Sequence, residues 1–159
     1  MRRVQLWLVL CGMLVPASLI GQPPPPRPQP QSATQPKMRI EPIAETRLLM
    51  EGLALANLRG LDQQLRQKPS ELEAWVFARG QALLIAETGN LLLLRPPRSQ
   101  GQEAWVAYAS QLRETGTRLA RAAADRDYER SKAGLVEVTN VCNRCHQTFR
   151  VPVRMPPKE

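Results

Sequence analysis

The sequence predicts an all-α protein, an antiparallel up-and-down bundle of four helices. Three observations carry that expectation. Apolar residues recur at three- and four-residue spacing in four separate stretches between positions 43 and 150. Pro, Gly and Asp punctuate the chain between those stretches, and no segment shows the every-second-residue alternation of a half-buried strand. A helix of about 20 residues is ~30 Å long at ~1.5 Å per residue, and short connections between such rods favour antiparallel neighbours.

The chain begins with a basic triplet, Met1, Arg2 and Arg3, followed by a mostly apolar run from Val4 to Gly21. Residues 1–21 therefore read as a secretory signal, with Ala17 and Gly21 as candidate cleavage points. The run is also long enough to leave an uncleaved membrane anchor open. Cys11 follows Leu10, where a lipidation signal wants a small residue, so it reads as an ordinary leader residue. Residues 22–40 hold seven prolines among Gln, Ser and Thr. Such a stretch cannot bury a core and is expected to be an extended, disordered linker.

The bundle itself is expected over residues 41–150. Its first helix runs from about Ile43 to Gln67, with Ile43, Met50, Ala54, Asn57 and Leu61 on one stripe and Leu53, Leu58 and Leu65 beside it. Pro69 breaks that helix, and Ser70 with Glu73 has the spacing of a capping box for the next. The second helix, from Glu71 to about Leu94, carries Leu72, Trp75, Val76, Arg79, Ala82, Leu83 and Ala86 at helical spacing. Gly80 and Gly89 weaken it, and Pro96 and Pro97 end it. Its apolar end, Leu91 to Leu94, closes the core or meets another subunit.

The third helix spans Gln102 to Ala124 with Trp105, Tyr108, Leu112, Thr115, Leu119 and Ala122 on its seam. Asp125 and Asp127 supply turn and N-cap chemistry. The fourth runs from Tyr128 to about Arg150 and aligns Leu135, Val138, Cys142, Cys145 and Phe149. Residues 151–159 look like a frayed, Pro-rich tail.

Formal net charge is +8, or +6 without Arg2 and Arg3. The cations are scattered among carboxylates along the helices, and aromatics make up only 4% of the chain. That pattern argues for a solvated mixed-charge surface and against nucleic-acid binding. It leaves room for attraction to an acidic protein partner.

One motif carries specific chemistry. Cys142, Asn143, Arg144, Cys145 and His146 form a C-x-x-C-H run, which reads as a covalent haem attachment site. One helical turn places both thiols on one face, where each can add to a vinyl group, and His146 beside them can supply a nitrogen to the iron. A zinc site would need four ligands, and outside the leader the chain offers two cysteines and one histidine. A thioredoxin-type disulfide would want the motif after a strand, whereas its surroundings are helical. His146 is the only histidine, so no second imidazole can face the iron.

With an N-terminal leader, four helices and C-x-x-C-H near the end of the last, the chain resembles the class II c-type cytochromes, the cytochrome c-prime superfamily. The resemblance covers about residues 41–150 and is most specific from Val138 to Arg150, which ends C-x-x-C-H-x-x-aromatic-Arg. It implies one haem c on Cys142 and Cys145, His146 as an axial iron ligand, and Arg150 close to the haem on that side. A plain helix-end cation is the other reading of Arg150.

Thr46 to Met50 looks like the low-spin branch of that family, in which a methionine of the first helix completes the iron coordination. Met50 as core filler is the alternative. Met38 lies in the linker and Met155 in the tail, so neither competes well.

The resemblance thus implies a periplasmic electron-transfer protein with His/Met-ligated iron. Its runner-up is a five-coordinate protein that binds nitric oxide or carbon monoxide. An enzyme is not expected, since no distal histidine and no paired carboxylates are present. A redox partner protein is implied without being identified, and both an N-terminal membrane tether and a homodimer stay open.

Overall fold

A computed structural model of the chain describes residues 40–98 and 100–156. The signal-like run and nearly all of the Pro-rich linker, with Cys11 and Met38, lie outside the described residues. Among the described residues the regular structure is entirely helical, with no strand, as a helical bundle requires. None of these helices is long and apolar enough to cross a membrane.

The first rod is built from three pieces laid end to end: α1 (Thr46–Leu49), a π-helical segment (Met50–Leu55) and α2 (Ala56–Gln64). It is shorter than the 43–67 span expected. Ile43 precedes it and is 92% exposed, so it does not belong to the buried stripe. Leu49, Ala54, Leu58, Leu61 and Leu65 are the buried residues of this region, and Met50, Leu53 and Leu55 pack against the core half-buried.

Helix α3 (Leu72–Leu93) starts without the expected capping box. Its N-cap is Glu71, and no side chain caps it. The buried stripe of α3 is Trp75, Ala78, Ala82, Ile85, Ala86 and Leu92, whereas Leu72, Val76 and Leu83 are exposed. Two apolar stripes overlap on this helix, and only the one facing α4 and the first rod is covered. Trp75 is fixed in the core by a hydrogen bond from Nε1 to the Pro69 carbonyl at 3.0 Å.

Helix α4 (Gln102–Ala124) meets α3 along a seam of small residues. A Cβ at Gly89 would lie 2.6 Å from the Ala109 carbonyl oxygen, and one at Gly116 would lie 2.8 Å from the Ala86 nitrogen. Backbones this close pack by direct van der Waals contact that larger side chains would prevent. The Leu91 to Leu94 run ends at this seam, where Trp105 Nε1 donates to the Leu92 carbonyl at 2.7 Å.

Helix α5 (Tyr128–Thr148) packs along α4. Its N-cap is Asp127, as expected, whose carboxylate accepts from the Arg130 amide at 3.0 Å and from Arg130 Nε at 2.7 Å. Tyr128 Oη reaches back to the Leu65 carbonyl at 3.1 Å and ties the start of α5 to the end of the first rod.

The two helix ends flanking α5 share one device. Arg126 and Arg150 both adopt positive φ, 57° and 55°. After α5 the Arg150 amide bonds to Gln147 O and the Val151 amide to His146 O, the paired bonds of a Schellman turn. After α4 the Arg126 and Asp127 amides make the matching pair to Ala123 O and Ala122 O. The chain therefore reverses at Arg150. The tail does not fray over residues 151–156: it folds back along α5 and is hydrogen-bonded there.

Candidate functional site

A cavity of about 570 Å³ opens between the first rod, α4 and the end of α5. Its volume falls inside the ~300–1,000 Å³ range of cofactor sites. The first rod contributes Met50, Ala54, Leu55 and Leu58 from successive turns, with Arg47, Glu51 and Arg59 beside them. Ile85, Leu92, Trp105, Leu112 and Val138 form the apolar back wall, while Cys142, Cys145, His146 and Phe149 line it from α5. The tail closes the remaining side with Val151, Val153 and Met155.

Both thiols are free, half-buried and one helical turn apart. Burial pushes Cys142 up to about 12, with a smaller contribution from neighbouring Cys145, and burial alone pushes Cys145 up to about 11. Both are thus thiols rather than thiolates at neutral pH. They suit covalent capture inside an apolar pocket better than exchange chemistry with a soluble disulfide.

His146 Nδ1 lies 2.9 Å from the Val153 carbonyl oxygen. A carbonyl only accepts, so Nδ1 carries a proton, and the neutral form of such a ring has its lone pair on Nε2. This is the arrangement of a metal-ligating histidine, with the ligand nitrogen bare and the other nitrogen anchored by the protein. Among the described residues no three His, Cys, Asp or Glu side chains converge as a site for a bare metal ion.

Four of the residues singled out from sequence, Met50, Cys142, Cys145 and His146, therefore line one cavity. Arg150 does not join them. It is exposed, stands outside the cavity lining, and its conformation serves the turn that reverses the chain.

Several lining or supporting residues were not singled out as site residues from the sequence, although Trp105 and Phe149 lie on its helix seams. Trp105 and Phe149 meet edge to face, with ring centroids 5.2 Å apart at 80°, and wall off the α4 side. Asn143, one of the two variable residues of the motif, bonds both backbone groups of Met155: Nδ2 donates to its carbonyl at 3.0 Å and Oδ1 accepts from its amide at 2.8 Å. Met155 is only 9% exposed in consequence. Arg47, paired to Glu51 at 2.9 Å, and Arg59 put cationic groups on the rod side of the cavity.

The residues present fit a covalently held haem. The cavity is largely apolar, two thiols are spaced for thioether formation, one imidazole has a free ligand nitrogen, and a thioether is carried by another wall. Comparison with known proteins finds no matching family model, no matching characterised sequence and no matching solved structure. The functional reading therefore rests on the residues and their arrangement.

Proposed function

We propose that this protein is an exported mono-haem c-type cytochrome of the class II kind, an electron carrier built on an antiparallel four-helix bundle. The observation that carries the proposal is the convergence of Cys142, Cys145, His146 and Met50 on one apolar cavity. The antiparallel arrangement is supported by pairs whose numbers fall on one helix as they rise on the next. Leu92 pairs with Trp105 and Ala86 with Gly116; along α4 and α5, Arg118 pairs with Glu137 and Tyr108 with Thr148.

A bound haem would supply a one-electron ferric/ferrous couple. Cys142 and Cys145 would hold the ring by thioethers, and His146 Nε2 would ligate the iron. Met50 would offer a thioether sulfur to the iron, a ligand type that favours the ferrous state. The apolar walls exclude water and lower the reorganisation that accompanies transfer. Arg47 and Arg59, among the lining residues of the rod, would answer anionic groups of a bound ring. Export follows from the basic-apolar leader, and a scattered excess of cations suits an acidic redox partner.

A second reading is favoured by the neighbours of Met50. Ala54, Leu55 and Leu58 offer an apolar, donor-free face of the kind that admits nitric oxide or carbon monoxide to a five-coordinate iron.

Absorption spectra of protein matured with haem, oxidised and reduced, before and after carbon monoxide, decide between them. The electron-transfer reading expects a low-spin spectrum that carbon monoxide leaves unchanged, and a Met50→Ala variant that turns high-spin and binds carbon monoxide. A wild-type ferrous form that takes up carbon monoxide readily would favour the second reading, and absence of covalent haem would remove both.

A further inference from the structure

We infer that the segment 151–156 is a strap that positions His146, with Asn143 as the residue that sets it. The inference rests on the haem reading and concerns a part of the chain that reading does not use. Its geometry begins at the positive-φ turn of Arg150, which sends the chain back along α5. Asn143 then grips Met155 by both backbone groups, and Arg154 Nη1 donates to the Asn143 carbonyl at 3.1 Å. Between these anchors and the turn lies Val153, whose carbonyl oxygen is delivered to His146 Nδ1 at 2.9 Å.

Three observations separate this strap from a merely adherent tail. The grip on Met155 is reciprocal and uses the only side-chain type that can both donate and accept in that geometry, an amide. Met155 enters the cavity wall rather than lying on the surface, at 9% exposure among flanking residues that are exposed. The delivered carbonyl meets the one ring nitrogen that does not serve the iron. A histidine whose N–H is held by a carbonyl is a stronger donor and is fixed in orientation, and loss of such an outer partner typically costs ~10–100-fold in metal affinity or activity.

A stronger imidazole donor favours ferric over ferrous iron. Releasing the strap therefore raises the reduction potential. The test is Asn143→Ala in the full, haem-loaded chain, with Asn140→Ala on the exposed side of the same helix as the control for helix effects. The expected result is a ferrous-to-ferric ratio about tenfold higher at fixed poise, ~59 mV for a one-electron couple, with the control at the wild-type value. A loss of packing alone lowers the unfolding midpoint without that shift.

A second measurement does not depend on the variant maturing. Amide hydrogen exchange in the wild-type chain is expected to show the Met155 amide protected at least about tenfold over the neighbouring tail amides. Covalent haem with an unmoved potential in Asn143→Ala, or an unprotected Met155 amide, overturns the strap and leaves the cytochrome reading intact. Wild-type chain that takes up no haem overturns the cytochrome reading instead, and with it the role given to Val153.

Discussion

Trp105 and Phe149 stand edge to face across the cavity wall, 5.2 Å between ring centroids, and join the start of α4 to the end of α5. Trp105 is itself fixed by its hydrogen bond to Leu92, so Phe149 packs against a ring that cannot turn away. Phe149→Ala is expected to cost about 2 kcal/mol, from lost burial of a half-exposed ring and the lost aromatic contact. Denaturant unfolding of the variant measures it. A cost near zero would show that the pair does not tie the two helices.

Two glycines of α3 should respond with opposite signs. Gly80 has nothing within 4 Å of the position a Cβ would take, so Gly80→Ala gains helix propensity, about 1 kcal/mol. Gly89→Ala drives a methyl into the backbone of α4, 2.6 Å from Ala109 O and 2.7 Å from Arg113 N, and is expected to lose about 2–3 kcal/mol. Melting of the two variants side by side makes the comparison, and equal shifts would contradict the close seam.

Hydrogen bonds from the Arg130 amide and then its guanidinium hold the Asp127 carboxylate below the usual 3.8. A depressed folded value means that the stabilisation is fully present above the ordinary carboxylate range and is lost as pH falls through the folded value. Asp127→Asn should therefore lower stability at neutral pH and flatten part of the acid limb, where the wild type loses the same contribution. Urea midpoints between pH 2 and pH 7 report this, and an identical acid limb in the variant would exclude Asp127 as a contributor.

Before haem attachment, the thiols should be slow to alkylate. With Cys145 near 11 and Cys142 near 12 against an ordinary 9.0, the thiolate fraction falls about a hundredfold and a thousandfold. Iodoacetamide labelling of folded haem-free chain at pH 8 is expected to proceed far more slowly than in urea. Equal rates in both would show that the thiols are not buried.

How much of this was legible from sequence depended on the kind of signal. The helical spans of α3, α4 and α5 announced themselves through Pro69, Pro96, Pro97 and Asp127, because backbone-breaking and capping chemistry is local. The inner face of α3 was harder. Leu72, Val76 and Leu83 are as apolar as Ala78, Ile85 and Leu92, and only the neighbours decide which stripe is covered. The π-helical turn at Met50–Leu55 leaves no mark in periodicity, since it changes the register by a single residue.

Cys142, Cys145, His146 and Met50, which share one cavity, could be singled out because the chemistry proposed for them lies in their side chains. The strap could not be: it acts through backbone groups of Val153 and Met155, and through an asparagine at a position the motif leaves open. Arg150 was readable only as a resemblance to a haem-proximal position or as a helix-end cation, and its positive φ, which turns the chain, left no mark in the sequence.

The close seam between α3 and α4 also bears on how the walls of the cavity are held. At Gly89 and Gly116 the backbones themselves are in contact, with no room for a side chain between the helices. The rod bearing Met50 lies outside that seam. It is held by apolar side chains and, at its far end, by the Tyr128 bond to Leu65. The cavity thus lies between a wall held by side-chain packing and a frame whose helices meet backbone to backbone.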